Sequence, residues 1–137
     1  MGIVREMITL KNAADVADAE RGHIKDTEIR ETTVRVLVDT GAGTMVLSEE
    51  IREKLGLRIR GLRGVTFAND KREICKVTEP VEIHWKDRST TLPAIVSSGW
   101  GEILLGALPL EDMDLMVNPV KQELVGVHGD VVECSLR

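Results

Sequence analysis

The chain has no tyrosine, one phenylalanine and two tryptophans among 137 residues, so platforms for stacking bases or sugars are hard to assemble. Its core must be aliphatic. Cysteine is also scarce: Cys75 and Cys134 lie far apart, in no Cys-x-x-Cys or zinc-like spacing, so reduced thiols in a cytoplasmic protein are expected. Basic residues are not in excess. Against 23 acidic residues stand 18 basic ones, a formal charge of -5, with no basic stripe to neutralise phosphates. Nucleic acid is therefore not an expected partner. No apolar run approaches the ~20 residues that span a bilayer, and residues 1–6 reach charge before any long apolar run, so neither a membrane partner nor a secretory signal is expected. His23, His84 and His128 are scattered, with no His-x-x-x-His or carboxylate spacing, so no metal and no cofactor is expected. Ser48, Ser97, Ser98 and Cys75 lack a nucleophile-elbow context or an evident His-Asp partner order, which leaves serine or cysteine hydrolysis unsupported.

Short runs of Val, Ile and Thr, partly alternating and separated by turn-formers, are abundant instead and mark a mainly β chain. The length suits one domain, taken as residues 1–137. Strands are predicted over residues 4–10, 28–38, 45–47, 57–60, 64–68, 73–85, 91–97, 103–105, 115–118, 123–125 and 131–135. A helix is predicted over 49–55, with Ser48 placed to cap it, Glu49 and Glu50 at its positive end and Gly56 as its stop. A second short helix starts after Gly106, tolerates Pro109 in its first turn and runs to about Asp112. Residues 11–22 are read as a solvated loop in preference to a helical turn, and Lys86-Asp87-Arg88 as a solvated turn. Trp85 and Trp100 are expected in the core or an interface.

One segment carries chemistry. Val34 to Val38 form an apolar strand that delivers Asp39 directly into Thr40-Gly41-Ala42-Gly43, a run of small residues. A buried strand supplies rigidity, and glycines let other backbone approach a carboxylate closely. On these residues alone Asp39 reads equally well as an aspartate capping a turn through its own side chain.

The wider segment, Leu37 to Ser48, resembles the catalytic loop and following strand of retroviral-type (retropepsin-like) aspartic peptidases, in which apolar-apolar-Asp-Thr-Gly-Ala leads to a Val-Leu pair. Near the C-terminus, Glu102-Ile103-Leu104-Leu105-Gly106-Ala107-Leu108-Pro109-Leu110 resembles that family's apolar-apolar-Gly segment and short helix. Leu55-Gly56-Leu57 and Leu115 to Pro119 make the chain most similar to stand-alone prokaryotic members, over roughly residues 4–125. The resemblance implies a closed β-barrel-like acid protease fold, one lobe per chain, completed as a two-fold homodimer. It also implies an aspartic endopeptidase acting on extended peptides. Because the chain holds a single Asp-Thr-Gly turn, the second carboxylate would come from Asp39 of another copy. Thr40 would hydrogen-bond across the dimer beneath the dyad, and Gly41 would contribute backbone to substrate or carboxylate contacts. Leu37, Ala42, Gly43, Val46 and Leu104 would line apolar subsites, though each aliphatic residue among them is equally consistent with plain core.

A lid is implied between the two motifs. Residues 64–73 read as a hairpin turning near Asn69-Asp70, a flap whose Phe67, Ala68 and Asn69 would touch substrate; an ordinary surface hairpin fits the same residues. The tip lacks the glycines of many viral relatives. Gly43 and Ala107 stand where viral members carry an aspartate and an arginine that pair near the dimer interface. With both charges absent the dimer would be held differently, with the Val131-Val132 segment or the N-terminal strand as candidates. A peptidase-like module that dimerises or binds peptides with little catalysis is the alternative function.

Overall fold

The computed structural model describes residues 3–67, 69–98 and 101–136; Ala68 and Trp100 lie outside them. The chain runs β1 (Val4–Asn12), α1 (Ala13–Glu20), a 3-10 turn (Asp26–Glu28), β2 (Glu31–Val38), β3 (Val46–Ser48) and α2 (Glu49–Leu55). It continues through β4 (Ile59–Thr66), β5 (Arg72–Thr78), β6 (Val81–Trp85), β7 (Arg88–Leu92) and β8 (Ile95–Ser97). Last come β9 (Leu104–Leu105), α3 (Ala107–Asp112), β10 (Leu115–Asn118) and β11 (Glu123–Gly126).

Nine strands form one sheet in the order β4-β5-β8-β3-β9-β2-β1-β6-β7, curled into a half-barrel, and β10 pairs with β11 in a separate hairpin. The expected mainly β, barrel-like acid protease fold is what the chain adopts. Its enclosed face is aliphatic, with Ile8, Leu10, Val36, Met45, Leu47, Leu55, Leu57 and Ile83 fully buried and Trp85 packed among them. A short parallel pairing of β2 with β9 ties the Asp39 strand to the second motif, and β3 flanks β9 on its other side. Leu37 lies beside Leu104 and Val38 beside Leu105.

Local chemistry explains both well-marked helices. The Ser48 side chain accepts from Ile51 N at 3.3 Å, and Gly56 closes α2 in the left-handed conformation at φ 64°. A side chain at Gly56 would also collide with the Arg30 guanidinium. Gly106 opens α3, which ends at Asp112 as expected.

Several expected elements differ. Residues 13–20 are helical, not a loop. Asn12 caps that helix by accepting from Asp15 N at 3.1 Å and also donates to Leu55 O at 2.9 Å, while the Asp15 carboxylate takes Arg30 Nε at 2.8 Å. Residues 57–60 and 64–68 do not give two strands: Ile59–Thr66 is one strand with an irregularity at Ile59/Gly61. The run 73–85 breaks between Thr78 and Val81, around Pro80, and 91–97 breaks around Pro93, where proline removes a ladder donor. Residues 131–135 form no strand. Arg88 is buried, not solvated. No helix among the described residues is long and apolar enough to cross a membrane.

Candidate active site

Asp39 directly follows β2, and its backbone is fixed before its side chain is. Asp39 N donates to Leu105 O at 3.0 Å and Leu37 N to Ile103 O at 2.9 Å, so β9 holds the end of β2 on one edge. The chain then turns, with Ala42 N donating to Asp39 O at 3.0 Å. Gly41 N donates to Asp39 Oδ1 at 2.9 Å, fixing the carboxylate's orientation through its own turn. A Cβ on Gly41 would sit 3.2 Å from that oxygen, tight enough to disturb it.

The second motif closes on the first. Ala107 N donates to Ala42 O at 2.8 Å and Leu108 N to Gly43 O at 3.1 Å, so the first turn of α3 holds the loop's carbonyls. This approach requires Gly106: a side chain there would run into the carbonyls of Ala42 and Thr44. Ala42 and Gly43 are thus joined by backbone to Ala107 and Leu108, and neither Gly43 nor Ala107 carries a charge.

Asp39 opens onto a cleft of about 780 Å³. Its floor is Val46, Ile95 and Leu104, which form one apolar cluster with Val65, Phe67 and the buried Cys75, itself not a lining residue. Burial, and then the neighbouring Glu73, push the Cys75 thiol above its ordinary range. The β4–β5 hairpin forms the opposite wall. Its end is closed by Phe67 N donating to Lys71 O at 2.8 Å and Asp70 N to Phe67 O at 2.9 Å, with Asp70 at φ 63°.

Of the expected site residues, Asp39, Gly41, Ala42, Gly43, Val46, Phe67, Asn69 and Leu104 all line this cleft. Thr40 is exposed and is not among the lining residues, and Leu37 sits half-buried beside Leu104 without lining it. Ala68 falls outside the described residues. Sequence reasoning missed Arg63, Val65, Lys71, Glu73, Ile95 and Ser97. Alternation along β4 and β5 sets Arg63, Val65 and Glu73 on one face only once the hairpin's register and its position over the cleft are known, which no local pattern supplies. Among the described residues no group of three or more His, Cys, Asp and Glu could hold a metal ion.

Residues 25–112 match the family described as gag-polyprotein putative aspartyl protease. Among solved structures, EIAV protease complexed with the inhibitor HBY-793 is similar at a TM-score of 0.56, covering 81% of this chain and 88% of that one. At 23% identity that likeness is one of fold. No curated protein matches the chain.

Proposed function

The chain belongs to the gag-polyprotein putative aspartyl protease family, and on that premise we propose that it is an aspartic endopeptidase whose dyad joins Asp39 to Asp39 of a second copy. One observation carries the reading: a carboxylate held by its own glycine turn opens onto an apolar-floored cleft beneath a β-hairpin. The chain's single Asp-Thr-Gly supplies half of a dyad, and a two-fold axis would bring the halves together.

Two carboxylates side by side cannot both ionise comfortably, so they share a proton and titrate as a unit. The ionised member takes a proton from a water as it attacks the peptide carbonyl, and the protonated member donates toward the carbonyl oxygen. A tetrahedral intermediate forms and collapses with the proton passing to the leaving nitrogen. No bond to the enzyme is needed. The β4–β5 hairpin acts as the flap, with Phe67 and Asn69 near its end facing the substrate. An extended peptide would lie under it like an added strand, with apolar side chains on the Val46 and Leu104 floor.

Asp39→Asn tests this. Against a mixed peptide library at mildly acidic pH the variant should cut about a thousandfold less than wild type or worse, with its mass in solution unchanged. Undiminished cleavage refutes the mechanism. A wild-type protein that dimerises and binds peptides without ever cutting them is instead a peptide-binding module.

A further inference from the structure

The hairpin wall of the cleft is not apolar throughout. In the register of β4 and β5, Arg63 faces Cys75 and Val65 faces Glu73. Arg63, Val65, Phe67, Lys71 and Glu73 all line the cleft that holds Asp39. Val65 and Phe67 pack down on the floor, whereas Arg63 is exposed and Glu73 half-buried. Among the described residues neither Arg63 nor Glu73 has an ion-pair partner within 4.0 Å; the Glu73 carboxylate accepts one long contact from Cys75 Sγ at 3.9 Å. Arg72 points elsewhere, its guanidinium lying where a Gly64 side chain would be. The cleft wall therefore presents two cations, Arg63 and, nearer the hairpin's end, Lys71, together with one anion, Glu73, around the apolar Val65 and Phe67, and Arg63 is the cation two residues from Val65 on the same strand.

We propose that Arg63 selects peptides carrying an acidic side chain two residues from the apolar side chain seated on the Val46–Ile95–Leu104 floor, an inference that rests on the peptidase reading above. The spacing follows from strand geometry. Arg63 and Val65 are two residues apart on one strand, about 6.6 Å, and a peptide laid alongside repeats its own side chains on one face at the same interval. An apolar side chain beside Val65 then places its second neighbour beside Arg63. Glu73, directly across from Val65, repels a carboxylate from the apolar seat and so sets the register.

The test uses the full chain and peptides that share one apolar residue and differ only two positions to either side of it, as Glu, Gln or Lys. Wild type should favour Glu over Lys at one of those positions by about fivefold in kcat/KM, and the preference should shrink in about 0.5 M salt. Arg63→Glu should reverse it, and Arg63→Gln should remove it. Equal use of Glu and Lys peptides by wild type, or a preference that survives Arg63→Glu, overturns the assignment while leaving the peptidase reading standing. If the protein binds but does not cut, the same peptides labelled for fluorescence anisotropy give the same comparison in Kd. Charge-dependent binding that Arg63→Glu reverses supports the Arg63 assignment alone, and no binding or cleavage of any peptide refutes both readings.

Discussion

Arg88 begins β7, yet only 5% of it reaches solvent. Its Nη1 donates to Met113 O at 2.9 Å and Asp114 O at 2.8 Å, and Nη2 donates to Gly129 O. A guanidinium offers five N–H groups in a fixed fork, so one side chain can satisfy carbonyls from two chain segments. Arg88→Met would keep much of the stem's packing and leave those carbonyls unpaired. Urea unfolding should show a loss of about 3 kcal/mol; a variant within about 0.5 kcal/mol of wild type would mean water replaces the guanidinium. The Lys86-Asp87-Arg88 stretch reads as a solvated turn because Arg88's partners lie 25 to 41 positions downstream, beyond any local pattern. Ser48, Gly56 and the turn at Asp39 were legible for the opposite reason, though the turn alone does not assign Asp39 a role. Each meets its partner within a few residues, as Ser48 meets Ile51 and Asp39 meets Gly41. Arg63 and Glu73 share the handicap of Arg88, since their facing depends on the register of two strands and on the curl that brings the hairpin over the cleft.

At the scale of elements, the segment after β11 folds back on the turn between α3 and β10. Val127 N donates to Asp114 O at 2.8 Å, His128 Nδ1 lies 2.8 and 3.0 Å from the Asp114 carboxylate oxygens, and Glu133 N donates to Asp114 Oδ2 at 3.1 Å. The hydrogen bond to Asp114 holds the His128 imidazole above its ordinary range, and the same bond holds the Asp114 carboxyl below its own. Arg88 lowers Asp114 further, and Glu133 raises His128 further. A raised histidine contributes fully below its unfolded pKa of about 6.5 and loses that contribution as pH climbs through the folded value; a lowered aspartate contributes above about 3.9 and loses it as pH falls. The tether is thus strongest between about pH 4 and 6.5 and loosens toward alkaline pH. Amide exchange over residues 126–133, corrected for intrinsic rates, should accelerate between about pH 6 and 9 in wild type. That pH dependence should vanish in His128→Gln, and its persistence there would exclude the histidine as its source. The expected strand over residues 131–135 fails at this same point, because Asp114 takes a backbone donor that a ladder would need. The loop expected over 11–22 fails for a related reason: Asn12, Asp15 and Arg30 form a network reaching α2 that no reading of one segment contains. Strands with clear alternation, such as β1 and β2, were legible because their period alone fixes the face they bury.

For the whole molecule, the proposed chemistry depends on how many copies meet. Each chain carries one Asp-Thr-Gly, and β1 lies inside the sheet, paired with β2 along residues 4–11 and with β6 over residues 9–12. Residues 9–11 of the N-terminal strand are therefore engaged on both edges and residues 4–8 on one, while Val131 and Val132 are exposed outside any ladder. A formal charge of -5 on each copy opposes association, so salt should strengthen the dimer by screening even as it weakens charge-based substrate preference. Specific activity should consequently fall as the protein is diluted through its dimer Kd, and at a fixed low concentration it should rise with moderate salt. Mixing supplies the stricter test. When wild type is combined with an equal amount of Asp39→Asn and allowed to exchange, random pairing leaves a quarter of the dimers with two aspartates, so activity per wild-type chain should drop to about half. Activity per wild-type chain that ignores the added variant would mean that a single carboxylate suffices and that the two-fold dyad is wrong.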